Sequence, residues 1–481
     1  MLILLKSENW SDVIKNFYDI SKIPRCSGNE KELSNYLFDR FKSQALEVYQ
    51  DDNYNLIVKK PGSKGYEKSE VTALQAHMDM VCESEETINF DFENDPIPIK
   101  SVNGWLCTGK TTSLGADNGI GVAMMMSLLE DKTAIHPPLE MIFTTEEETT
   151  FTGVNSLEAE GINSTRVINL DHSSEDSIVC GSAGGVLVDV YCHLDSVDIG
   201  KENKTYHLSI KGIIGGHSGQ DIEKGRANAI KILRSILYKM PSDIVPLSIN
   251  AGNNYNAIPR DASFYFAVDE SSIAHIQSSI DSVVEEISEK YSEDLVVELV
   301  LSDAEFNSGF SVETLLKVLN YLILTPMGIN TMEAKLPGVV SSSSNLGKIR
   351  HKENYLIFSS EIRGAYNFEI EELVNKICHI VDTLGFNIDT SGYYPPWTYN
   401  SESELLKTVI KVYEKHMGYT PKITALHAGL EAGVLSQKLG TNEIISIGPN
   451  IKNLHSPLES VEINSIDKIY SILKDILSDL K

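Results

Sequence analysis

Basic charge is scarce in this chain: 41 Lys and Arg face 68 Asp and Glu, a formal net charge of −27. Such a balance argues against binding nucleic acid or anionic membrane through a general basic surface, and it suits a protein able to hold divalent cations at carboxylates. Long apolar runs are missing as well, and none approaches the roughly 18 residues that a membrane helix requires. The opening run Met1-Leu2-Ile3-Leu4-Leu5-Lys6 is too short for a secretory core and lacks a basic flank, so a cytoplasmic location is expected. The six cysteines, Cys26, Cys82, Cys107, Cys180, Cys192 and Cys378, contain no C-x-x-C pair. They are expected as reduced, mostly buried thiols and not as a disulfide framework. No short-period repeat and no low-complexity tract is present.

What the chain does have is length. Its 481 residues exceed what one hydrophobic core usually supports, so two or more domains are expected. A helix is predicted over 12–18, with a break at Pro24. Ser27-Gly28-Asn29-Glu30 then has capping-box spacing ahead of Leu33, Tyr36, Leu37 and Phe41 at helical intervals. Strand-like runs at 56–58, 71–74, 139–143 and 167–170 alternate with helical ones, including a helix through Val122, Ala123, Met126 and Leu129. This pattern predicts an α/β fold with a central mixed sheet flanked by helices. From about 186 to 395, strands alternate with amphipathic helices in what reads as a separate α+β domain. The chain then returns to a helix over 405–416, a glycine-rich turn over 427–433, a strand over 443–447, and His455. The expected organisation is a domain formed by 1–185 and 397–481, with 186–396 inserted.

The chemistry starts at His77 and Asp79. Two positions apart on an extended backbone, they project to one face, so one can meet a metal while the other supports it from behind. Asp117, Glu148, Asp171 and His455 follow at strand or loop ends, where ligands collect in open α/β sheets. Singly, each has a plain reading: Glu146-Glu147-Glu148 is a solvated turn, Asp117 a helix cap, Asp171 a strand-end cap, His455 an exposed loop histidine. Jointly, imidazole with carboxylate suits zinc and tolerates manganese or cobalt. The five ligands are too many for one open catalytic zinc, but the right number for two ions roughly 3.5–4 Å apart with a shared carboxylate. Asp117, flanked by Gly115 and Gly119, is the expected bridge. His77 with Asp171 would complete one ion, and Glu148 with His455 the other. Glu147 is the expected general base toward a bridging water, and Asp79 the partner of the far nitrogen of His77. The acidic triplet leaves base and ligand open to a one-residue shift of register.

This order resembles the M20 metallopeptidase family, and within it the aminoacyl-histidine (Xaa-His) dipeptidase branch, over nearly the whole chain. The carrying segments are 20–25 with Ser27-Gly28-Asn29-Glu30, His77-Met78-Asp79-Met80-Val81, Leu114-Gly115-Ala116-Asp117-Asn118-Gly119-Ile120-Gly121, Asn169-Leu170-Asp171, Ser446-Ile447-Gly448-Pro449 and His455-Ser456-Pro457. Thr150 stands where the resemblance leads one to expect a glycine. The resemblance implies a peptidase catalytic domain holding two zinc ions and an inserted lid domain of ferredoxin-like character. In the lid, Gly215-Gly216-His217-Ser218-Gly219 looks like the motif whose histidine stabilises an oxyanion. Asn256, Arg260, Arg363 and, in the glycine-rich turn, Gly429 are the implied substrate contacts. The expected activity is hydrolysis of Xaa-His and other dipeptides by a monomer or a homodimer formed through the lid. Rival readings are a tripeptidase, a carboxypeptidase, an amino-acid deacylase, or a non-catalytic metal-dependent peptide binder.

Overall fold

The computed structural model describes residues 10–291 and 293–481; the apolar run at 1–6 lies outside them. Among the described residues no helix is long and apolar enough to cross a membrane. Two compact units divide the chain: Met1–Ser182 with Trp397–Ala425 and Leu430–Lys481, and Ala183–Pro396 with Leu426–Gly429.

The first unit is an α/β layer around an eight-stranded mixed sheet. Four strands at its centre run parallel, in the order Leu139–Thr144, Thr72–His77, Arg166–Asn169, Ile444–Ser446. Leu56–Lys60 and Glu47–Gln50 extend one side as antiparallel neighbours, and Ser177–Ser182 and Lys422–Leu426 extend the other. Every residue of Thr72–His77 and Leu139–Thr144 is buried, which requires cover on both faces. Helix Ala116–Glu130 packs on Thr72–His77 and against helix Asp12–Ile20, while Glu404–Met417 packs on Ile444–Ser446. Met124, Met125 and Met126 are fully buried in that packing, so they serve the core.

The second unit builds an antiparallel sheet in which Val296–Leu301, Lys204–Lys211, Ala262–Val268, Val245–Ala251, Val340–Lys352, Tyr355–Gly364, Gly184–His193 and Asn387–Tyr394 are successive neighbours. Gly328–Met332 pairs beside Val340–Lys352. Buried residues alternate along the strands, as with Tyr206, Leu208 and Ile210, and join a core with Leu233, Ile276, Val318 and Leu373 of the four helices. The strands Val245–Ala251, Val340–Lys352, Asn387–Tyr394 and Gly328–Met332 add to those expected here from the apolar pattern, at 186–191, 207–210, 263–268, 296–301 and 355–362. Val340–Lys352 contains Ser341-Ser342-Ser343-Ser344, all buried, a composition that reads as loop.

Two expectations are corrected. Ser27 and Glu30 do not form a capping box. The Ser27 hydroxyl donates to Asp79 Oδ2 at 2.7 Å, and Glu30 accepts from the backbone N–H of Gly28 and of Glu146, both at 3.0 Å. Tertiary partners outcompete the local cap. Cys26 and Cys82 are also not free thiols but a disulfide across 56 residues. The Arg25 guanidinium grips the Met78 and Asp79 carbonyls, and Cys26 bridges to Met80, which brings the two Cα atoms to 5.7 Å. Spacing in sequence cannot reveal such a pairing. Peptide mapping without reductant is expected to recover Cys26 linked to Cys82, with Cys107, Cys180, Cys192 and Cys378 alkylated after unfolding. Reduction is expected to lower stability by about 2–4 kcal/mol through the freed loop, read by denaturant titration. Alkylation of all six thiols without reductant would contradict the link.

Candidate functional site

His77 ends the strand Thr72–His77, Glu147 and Glu148 follow Leu139–Thr144, and Asp171 follows Arg166–Asn169. All therefore stand beyond the carboxyl ends of adjacent parallel strands. Asp117 comes from the start of Ala116–Glu130, after Gly115 at φ +67°, and its own ψ of 111° turns it out of helical geometry. Its peptide bond to Asn118 is cis. It is thus not the ordinary helix cap that its position alone suggested. His455, with φ +57°, sits in the turn between Ile451–Lys452 and Ser460–Glu462.

The structure brings these residues together. His77 Nε2 lies 3.1 Å from Asp117 Oδ1 and 3.4 Å from Asp171 Oδ1. His455 Nε2 lies 3.4 Å from the other Asp117 oxygen, Oδ2, and 2.9 Å from Glu148 Oε1. Asp117 thus offers one oxygen to each histidine. Ligand-type atoms of His77, Asp117 and Asp171, and of Asp117, Glu148 and His455, fall within 4.8 Å of one another in each group. His77, Glu147 and Glu148 form a third such group. Within the triplet, Glu148 is the acid that meets His455, whereas Glu146 accepts from the Thr150 hydroxyl at 3.3 Å. Three residues after Thr150, Gly153 makes a close approach: a Cβ there would stand 2.2 Å from the Thr145 carbonyl oxygen.

The donor set fits divalent cations. Glu148 Oε1 is buried and accepts no hydrogen bond although His455 Nε2 stands beside it; the two meet as electron-pair donors do around a shared cation. Burial opposes charge on His77, yet Asp171, Asp117 and Asp79 hold its pKa well above that of free imidazole. Contacts with Asp117 and Glu148 lift His455 to about 10. Burial would raise Asp117, but His455 and His77 hold it far below the usual carboxylate range. Burial and the Asp117 charge push Asp171 up to about 7. So dense a cluster of carboxylates demands positive charge among the donors, which divalent cations can supply.

Asp79 is fully buried and faces Nδ1 of His77, which lies 3.2 Å from its carbonyl oxygen and 3.3 Å from Oδ1. The same carboxylate accepts from the backbone N–H groups of Glu147 and Glu148, each at 3.1 Å. Burial first, then the charges of Asp171, Glu148 and Glu431, push the Glu147 carboxyl well above the ordinary range, against the pull of His77.

Within the second unit, His217 Nδ1 accepts from the backbone N–H of Gly219 and of Gln220, both at 3.1 Å. The ring proton therefore sits on Nε2. Burial and the Arg363 charge lower its pKa, which keeps the ring neutral. Asn256 accepts at its carbonyl from Ser218 N–H. Arg363 is not at the surface: it pairs with Glu361 at 2.8 Å, both 5% exposed, and donates to the Tyr394 hydroxyl, leaving its Nε buried and unpartnered. Arg260 is exposed, its stem against Gly215. Gly429 closes the segment containing His427, whose Nε2 meets the Ser343 hydroxyl at 2.7 Å.

Sequence reasoning passed over several supports of the metal-type cluster. Glu431 accepts from Gln75 and Thr144, and burial pushes its pKa up to about 8. Glu459 accepts from four backbone N–H groups beside Asp117. Arg25 is buried between the carbonyls of Met78, Asp79 and Gly115. Only the glycines flanking Asp117 hinted at Arg25, since a Cβ on Gly115 or Gly119 would collide with its guanidinium.

Peptidase family M20/M25/M40 matches residues 73–479. The chain is 30% identical over 471 residues to the cytosol non-specific dipeptidase of Escherichia coli (strain K12), covering 96% of each chain. Its structure superposes on the crystal structure of an aminoacylhistidine dipeptidase from Vibrio alginolyticus with a TM-score of 0.90 and 30% identity, covering 99% of this chain and 98% of that one. A Staphylococcus aureus tripeptidase shares the fold at a TM-score of 0.58 and 16% identity, covering 98% of both chains.

The shared position of Asp117 has a measurable consequence. Were the centre to hold two zinc ions, Asp117→Ala would lose both equivalents on dialysis, whereas Asp171→Ala and His455→Ala would each lose one, as counted by elemental analysis. An Asp117→Ala protein that keeps one full equivalent would show that the carboxylate is not shared.

Proposed function

This chain belongs to peptidase family M20/M25/M40, and on that premise we propose that it hydrolyses dipeptides, Xaa-His dipeptides among them, at a two-zinc centre. The observation that carries this reading is Asp117 with one oxygen toward His77 and the other toward His455. His77, Asp117 and Asp171 would hold one ion, and Asp117, Glu148 and His455 the other, with manganese or cobalt as substitutes. When bound, the ions would lower the pKa of a shared water and polarise the scissile carbonyl.

Glu147 would take the proton of the attacking water and return it to the departing amine nitrogen. Its burial, which pushes the carboxyl above the ordinary range, supports that exchange, because a more basic carboxylate is the better proton acceptor. Asp79 would keep His77 in one orientation and, through two backbone N–H groups, hold the segment that carries both base and ligand. A neutral His217 with its proton on Nε2 is suited to donate to the oxyanion that develops in the transition state. Asn256, Arg260, Arg363 and Gly429 remain the proposed substrate contacts. For Arg363 the role is narrower than a free guanidinium would have, since Glu361 and Tyr394 already engage it. We read residues 186–396 as the inserted domain that carries His217, Asn256, Arg260 and Arg363, and the protein as cytoplasmic.

Glu147→Gln is expected to keep its zinc content while kcat falls by about 10²–10⁴-fold; normal turnover in a zinc-replete variant would remove Glu147 as the base. Metal-depleted protein reloaded with zinc, manganese or cobalt should cleave β-Ala-His and Leu-Gly in preference to Leu-Gly-Gly and an N-acetyl amino acid. Cleavage confined to the tripeptide or the acetyl substrate would replace the dipeptidase reading.

A further inference from the structure

Glu459 is almost completely buried, at 2% exposure, four residues beyond His455. Its Oε2 accepts from Leu114 N–H at 2.7 Å and Gly115 N–H at 2.9 Å, and its Oε1 from Ala116 N–H at 2.9 Å and Asp117 N–H at 3.3 Å. One carboxylate thus satisfies four successive donors at the opening of a helix, where backbone N–H groups have no partners within the helix. The last of them belongs to Asp117 itself. Arg25, buried nearby, donates to the carbonyl of Gly115 at 2.5 Å and to those of Met78 and Asp79, so the same short loop is gripped by a cation on its carbonyl side and an anion on its N–H side.

The turn that presents His455 has little else to orient it. Among the described residues, the other hydrogen bonds of its Asn453, Ser456 and Leu458 side chains and N–H groups stay within 453–459. The flanking strands Ile451–Lys452 and Ser460–Glu462 pair with each other, and the second also pairs with Trp105–Cys107. Those pairings fix the base of the turn. Besides the His455 ring itself, 3.4 Å from Asp117 Oδ2, Glu459 is the residue of the turn that ties it to the loop of Asp117.

We propose that Glu459 is a positioning residue that sets the distance between Asp117 and His455, and thereby the geometry of the second metal. This rests on the two-metal reading above. Both oxygens must act as acceptors for the grip to hold. Gln presents an NH₂ to two of the four donors and breaks half of it; Asp keeps the charge but is one methylene short of spanning all four.

The test is a zinc titration of metal-depleted protein against a chromophoric chelator, alongside kcat and KM for Leu-Gly and the thermal melt of the metal-free protein. Wild type should bind two equivalents; if it binds one or none, the two-metal reading fails whatever the variants do. Given two in wild type, Glu459→Gln should weaken one equivalent by about 10–100-fold, the range found for residues supporting metal ligands, and lower kcat with KM little changed. Glu459→Asp should lie between Gln and wild type, and it carries the same test should Glu459→Gln fail to fold. Variants that melt earlier but bind both zinc ions with wild-type affinity and turn over normally below the melt would reduce Glu459 to a structural residue and overturn the proposal.

Discussion

A carboxylate with no access to water must find all its compensation inside the protein, and the site around Asp79 is arranged by that demand. Its oxygens collect the Ser27 hydroxyl and the N–H groups of Glu147 and Glu148, and they face His77. Three separate stretches of chain are thereby drawn to one anion: the loop before helix Lys31–Lys42, the end of Thr72–His77, and the acidic segment after Leu139–Thr144. The hydrogen-bonding imidazole holds the Asp79 pKa below the usual range despite burial, so the anion persists and the convergence with it.

The parallel strands and the histidine and acids at their ends were legible because each signal is local. His77 and Asp79 keep the period of a strand, Asp171 follows an apolar run, and the glycines around Asp117 announce a close approach. Supports that act across the fold left no such trace. Glu459 sits 342 residues from Asp117, and nothing beside it in sequence marks its four donors. Ser27 and Glu30 show the opposite failure: they carry a strong local pattern, yet their side chains serve tertiary partners.

The second unit was harder for a different reason. Polar residues can be buried in a strand when each finds a partner, and the run 341–344 does this for three of four: Ser341 donates to Glu369, Ser342 meets Thr331, and Ser343 meets His427. Hydrophobic periodicity is blind to that kind of interior. Arg363 belongs to the same class. It lies in the strand Tyr355–Gly364, paired in register with Ser343, and its charge is compensated by Glu361 from two positions earlier.

The order of strands in the first unit also bears on how the chain is made. Ile444–Ser446 lies between Arg166–Asn169 and Ser177–Ser182, although more than 250 residues separate it in sequence from either neighbour. A nascent chain emerging from the ribosome completes all of Ala183–Pro396 before it can supply that strand. Until then the sheet has a gap at its middle, with the unpaired edge of Arg166–Asn169 exposed. His455 and Glu459 emerge later still. In vectorial terms the first unit begins before the second and closes after it.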